Sequence, residues 1–177
     1  KRRFMPALRT VPSYHDEPVY IEALAASIEL HLARLAFKPD VIIASYHGIP
    51  KTYFEKGDPY HCDCMKTTRL LRERLGLSKE QLITTFQSRF GPQEWLQPYT
   101  DKTIEKLAKD GAKSIAVFNP GFVSDCLETL EEIAVEAAET FHQAGGVNFV
   151  HIPCLNDSAG GMRVIEHMVR QELAGWI

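Results

Sequence analysis

A chain of 177 residues, 45% hydrophobic and 24% charged, carries the apolar material for one core at the usual length of one domain. Its 20 Lys and Arg against 23 Asp and Glu leave a small negative balance and no basic stripe to track a phosphate backbone, which disfavours nucleic acid as a partner. No apolar run approaches the ~20 residues that span a bilayer, and a cytoplasmic location is expected.

The start, Lys1-Arg2-Arg3-Phe4, is too poor in apolar residues for a signal peptide. Because residue 1 is not Met and regular patterning is running by Pro18, the chain is expected to begin inside a longer protein. From Val19 to Phe37 apolar residues recur at helical spacing (Ile21, Leu24, Ala25, Ile28, Leu32, Leu35) until Lys38-Pro39-Asp40 breaks the pattern. Val41 to Ala44 is a short β-branched apolar run, the mark of a strand buried on both faces of a parallel sheet, and a polar loop is expected to follow. The alternation then repeats: helix Cys64–Leu75, strand Leu82–Phe86, helix Thr100–Lys109, strand Ser114–Phe118, helix Asp125–Gln143, strand Val147–Ile152 and helix Gly161–Leu173. The pattern predicts an α/β domain: a doubly wound, mainly parallel sheet of about four strands flanked by helices.

In such sheets ligands bind outside the carboxyl ends of the strands, so the segments after Ala44, Phe86, Phe118 and Ile152 should build one composite site. After the first strand, Gly48 permits close backbone approach and Pro50 stiffens the loop, so His47 is well held; its imidazole could bind a borderline divalent metal, accept a proton, or simply close a loop hydrogen bond. Glu128, Glu132 and Glu136, at spacings of four, place three carboxylates along one helical face, where like charges repel unless a cation or solvent relieves them. Asp125 with Glu128 also fits a capping box, and Glu132 and Glu136 could be solvated. Trp95, beyond Arg89-Phe90-Gly91-Pro92, is either a pocket wall for a flat ligand or ordinary core.

His61-Cys62-Asp63-Cys64 looks like a metal cluster, but the cysteines are two apart and no second pair stands at zinc-site spacing; with Cys126 and Cys154 they read as reduced thiols, without a disulfide framework. Gly-x-Gly-x-x-Gly, a P-loop and a Gly-x-Ser-x-Gly elbow are all missing, which disfavours nucleotide cofactors and the serine hydrolases.

Three segments together resemble ferrochelatase: Ser45–Pro50 (SYHGIP), Gln87–Asp101 (QSRFGPQEWLQPYTD) and Phe122–Leu130 (FVSDCLETL), within a similarity running from about Val11 to Trp176. The match is to that family's C-terminal half. The resemblance implies a chelatase-like, Rossmann/flavodoxin-like half-molecule facing a second half across a porphyrin cleft, with His47 and Glu128 at the macrocycle and the metal. It implies that Glu132 and Glu136 line a route for metal or protons, that their segment carries a π-helical turn, and that Ser45, Tyr46 and Trp95 contact substrate. The activity implied is insertion of ferrous iron, as substrate, into protoporphyrin or coproporphyrin to form haem. The partners implied are the porphyrin, the iron and the N-terminal half, with peripheral association at the inner face of a membrane. No organic cofactor is implied, and no iron–sulfur cluster is expected from these four cysteines. Cys126 stands where many relatives carry a histidine, and the porphyrin-binding lip belongs to the other half. The alternatives are a cobalt or nickel chelatase of the same architecture and a tetrapyrrole- or metal-binding domain without turnover.

Overall fold

The computed structural model describes residues 3, 4 and 6–176; Lys1 and Arg2 of the charged start, with Met5 and Ile177, lie outside them. In chain order the elements are α1 (Pro18–Leu32), β1 (Val41–His47), α2 (Lys51–Glu55), α3 (Tyr60–Leu75), β2 (Leu82–Gln87), α4 (Thr100–Lys109) and β3 (Ser114–Phe118). There follow α5 (Leu127–Leu130), a π-helix (Glu132–Ala137), α6 (Ala138–Gln143), β4 (Asn148–Ile152) and α7 (Ala159–Leu173). The strands form one four-stranded sheet in the order β2-β1-β3-β4, every pair parallel. This is the doubly wound fold read from the alternation.

Two cores lie on opposite faces of the sheet, because successive strand side chains point in opposite directions. Ile42, Ala44, Tyr46, Phe86, Ala116, Phe118 and Ile152 pack against Ile21, Leu24 and Ile28 of α1, Leu71 of α3 and Val164 of α7. Ile43, Ile115 and Val117 pack on the other face against Ile104 and Ala108 of α4, Ile133 and Ala137 of the π-helix and Phe141 of α6. After β1 the chain adds β2 on one side and β3 on the other, so the strand order reverses at β1/β3. The carboxyl ends of these two strands frame the crevice where ligands bind in open α/β sheets.

The bounds differ from the sequence reading in several places, α3 starting at Tyr60 rather than Cys64 and α2 having no counterpart in it. Helix α1 stops at Leu32, not Phe37: its last buried residue is Ile28, and Leu35 and Phe37 are only half-buried with no helix to continue. Strand β1 runs to His47, so Ser45, Tyr46 and His47 belong to the strand rather than a loop. They extend the ladder opposite Thr85, Phe86 and Gln87. The helix read over 125–143 from periodicity is three pieces, α5, the π-helix and α6, and the π-helical turn that the resemblance implied is present. No helix of the described residues is long and apolar enough to cross a membrane.

Candidate active site

Strand alternation sorts the first motif. Ser45 and His47 face the α4/π-helix side, while Tyr46 between them faces the α1/α3 core, where it is 3% exposed and its hydroxyl lies 3.0 Å from Thr68 Oγ1. Ser45 is fully buried and its hydroxyl donates to Gln87 Oε1 at 2.7 Å. Both were expected at the substrate; in the structure both side chains are buried. His47 closes the strand, half-buried, with its backbone carbonyl accepting from Tyr60 Oη at 2.9 Å and its ring centroid 6.4 Å from that of Phe122. The close approach read at Gly48 is real: its N–H donates to Gln87 O at 2.7 Å, and a Cβ there would sit 2.9 Å from that oxygen and 3.3 Å from the Trp95 ring. Trp95 is therefore packed under the His47 turn rather than standing as an open wall, its indole N–H donating to Phe90 O at 3.0 Å.

A cavity of about 610 Å³ opens between the end of β2 and the acidic helix, lined among others by Gln87, Ser88, Glu128, Glu131, Glu132 and Glu136. His47 stands outside its lining. Spacings of four overshoot an α turn of about 3.6 residues and fall short of a π turn. The π-helix, in which Glu136 N–H reaches back to Glu131 O at 2.9 Å, thus cancels the drift of the α-helical pieces. Glu128, Glu132 and Glu136 stay on one wall while Ile133, Ala137 and Phe141 all stay in the core. The N-terminal cap is not the expected Asp125–Glu128 pair: Cys126 caps α5, its N–H donating to Thr129 Oγ1 at 3.0 Å. Asp125 instead ties α5 to the β4–α7 loop, accepting from Asn156 Nδ2 at 2.7 Å and Cys154 N at 3.1 Å. Burial would raise its pKa, but these donors and Thr129 outweigh it and hold the carboxyl below the usual range.

The acids are not equivalent. The neighbouring Cys126 thiol holds the Glu128 carboxyl below its usual range, helped by the Glu128 backbone N–H and by His47 and opposed by burial. Glu132 is gripped: it accepts from Ser88 N at 2.7 Å, from Ser88 Oγ, and from Gln87 Nε2 at 3.2 Å. Ser88 achieves this in the left-handed region, φ 61°, a strained conformation for a residue with a Cβ that turns its N–H out of the strand toward the acid. Arg89, on the same rim, is held away from the acids by a two-pronged pair with Asp101 at 2.8 and 3.0 Å and lies over the Tyr99 ring.

Sequence reasoning placed Gln87, Ser88 and Asn119 in the right segments without giving them a role, and passed over Glu131 and His151. The available signal was a polar residue within one position of the carboxyl end of a strand: Gln87 of β2, Asn119 after β3, His151 of β4. Among the described residues no three His, Cys, Asp or Glu side chains converge as ligands to a metal, so His47, Glu128 and Glu132 flank the site without forming a closed coordination shell. Cys62 and Cys64, two apart on α3, separate into one exposed and one buried thiol.

The ferrochelatase family model matches residues 1–173. Ferrochelatase of Allorhizobium ampelinum is 72% identical over 177 residues, covering 100% of this chain and 52% of that protein. Those of Rhizobium johnstonii (69% over 175 residues, 99% and 51% covered) and Brucella ovis (68% over 177 residues, 100% and 50%) are alike. The chain spans about half the length of the curated relatives it matches. A solved structure titled SirB from Bacillus subtilis with Fe3+ superposes at TM-score 0.58 and 13% identity, over 88% of this chain and 55% of that one, a likeness of fold. From its three motifs, its parallel sheet and its match along almost its full length, the chain belongs to the ferrochelatase family.

Proposed function

We propose that this chain supplies the C-terminal half of an enzyme that inserts ferrous iron into a porphyrin to form haem. The observation that carries the reading is an imidazole at the end of β1, at the sheet's switch point, close enough to Glu128 to help hold its carboxyl below the usual range, with Glu128 heading a file of carboxylates along the wall of the neighbouring cavity. Insertion requires that the ion lose water and that two pyrrole protons leave as the metal–nitrogen bonds form. His47 accepts a pyrrole proton or presents the metal, and the Glu128 carboxylate, whose pKa lies below the usual range, draws in the cation. Glu132, held by Ser88 and Gln87, and Glu136 extend that path away from the ring. No organic cofactor enters the scheme. The upstream half completes the porphyrin cleft, and attachment at the inner face of a membrane is peripheral in this reading.

The test is anaerobic ferrous insertion into protoporphyrin and coproporphyrin, followed by absorbance, on this chain and on the protein carrying both halves. Turnover in the joined form, lost in His47→Ala with porphyrin still bound, is the expected result. Insertion retained by His47→Ala would remove that residue from the mechanism; porphyrin binding without turnover in either form would favour a binding domain.

A further inference from the structure

His151, on edge strand β4, is joined to Glu132 by side-chain hydrogen bonds that cross the carboxyl end of the whole sheet. Its Nε2 lies 3.0 Å from Asn119 Oδ1; Asn119 Nδ2 lies 2.7 Å from Gln87 Oε1; Gln87 Nε2 lies 3.2 Å from Glu132 Oε2 and 2.6 Å from the Glu128 carbonyl. Asn119 and Gln87 are 3% and 4% exposed, so loss of a partner leaves a nearly buried amide group unsatisfied.

The direction of every bond follows from groups that can only accept. The Glu128 carbonyl obliges Gln87 to present its NH2, which turns Oε1 toward Asn119 and the Ser45 hydroxyl. The Ser45 carbonyl, 3.2 Å from Asn119 Nδ2, independently obliges Asn119 to present its NH2 to Gln87. Asn119 Oδ1 is then left for His151, whose Nε2 must carry a hydrogen. Both the neutral Nε2–H tautomer and the imidazolium satisfy this. Burial pushes the His151 imidazole below the usual histidine range, with Asp125 acting against that and His31 with it, so the neutral tautomer prevails at neutral pH.

We propose that His151 is a positioning residue for Glu132: its Nε2–H orients Asn119, Asn119 orients Gln87, and Gln87 holds both the Glu132 carboxylate and the first turn that carries Glu128. This rests on the proposed role of Glu132 in insertion. No proton travels the chain, since the amides only orient.

The experiment compares His151→Phe, which keeps a ring without a donor, with His151→Gln, which restores an N–H, in the protein carrying both halves. His151→Phe should lower insertion on the order of ten-fold, as loss of outer partners does at metal sites, with porphyrin KM unchanged. His151→Gln should recover most of that loss. In parallel, the Gln87 side-chain NH2 resonances in 15N NMR should shift in His151→Phe and return in His151→Gln. Equal loss in both variants, an unmoved Gln87 signal, or wild-type insertion by His151→Phe would overturn the assignment. Glu132→Gln separates the two readings: full activity there, with the Gln87 resonances still answering to residue 151, would remove Glu132 from the mechanism while leaving the orienting chain in place.

Discussion

Cys126 acts most directly on the ionisation of Glu128. Its thiol is the foremost cause of the lowered Glu128 pKa, and Glu128 in turn helps burial to raise the Cys126 thiol. A carboxyl whose folded pKa is depressed keeps its charge as pH falls further than a free one would. Removing the thiol returns it toward the ordinary value, so protonation begins at higher pH. Cys126→Ala should therefore shift the acid limb of the insertion profile upward in pH while leaving the rate near neutrality close to that of the parent. A pH–rate series at saturating porphyrin checks this, and an unmoved limb would mean that Glu128 is not the group whose ionisation the acid side reports. The residue types at His47 and along the Glu128–Glu136 file were legible in the sequence because ligand-grade side chains stood beside turn-forming ones. Gln87, Ser88 and His151 were not, because a buried polar residue declares itself only through partners that tertiary structure brings from other strands.

The π-helix governs the site at the scale of elements. Pattern reading found a helix over 125–143 and its apolar face, but a spacing of four suits α and π turns about equally, so the break into pieces left no trace in periodicity. The widened turn contains one residue more than an α turn, and Val135 is exposed on it beside Glu136. Deleting Val135 should close the turn to α geometry, keep Ile133 and Phe141 in the core, and carry Glu136 out of line with Glu132. Cooperative urea unfolding should persist while insertion falls, by about a hundred-fold where a catalytic group is displaced by an ångström. Undiminished insertion would show that the order of the carboxylates does not matter. The strands show the same division between legible and hidden: Ser114–Phe118 was read with its true bounds, whereas β1 was cut short because Ser45 and His47 look like loop residues. What keeps them in the ladder is the backbone pairing with β2, which no composition reports.

At the scale of the molecule, the alternation of elements was enough to give the fold, since parallel strands joined by helices have few topologies open to them. The rim of the site is less self-sufficient. Phe90 and Leu127 line the cavity mouth at 68% and 74% exposure, large apolar side chains left open where the crevice faces outward. Large apolar side chains exposed on one cavity rim offer a surface for association. The chain alone should associate with rising concentration in sedimentation velocity, and replacing Phe90 and Leu127 by Ser should weaken that association. Joining the upstream half should abolish it. Because α7 separately exposes Met162, Ile165 and Val169, association unchanged by the double substitution would assign it to that helix instead.

The amide chain beneath the site has a bearing on how the protein ages. Asparagine side chains hydrolyse chiefly when the following backbone nitrogen attacks them to close a ring, and the resulting aspartate could still accept from His151 but could no longer donate to Gln87 or to the Ser45 carbonyl. At Asn119 the next residue is Pro120, whose nitrogen carries no hydrogen and cannot make that attack. The one asparagine whose conversion would undo the whole orientation is thus placed before the one residue that closes the usual route to it.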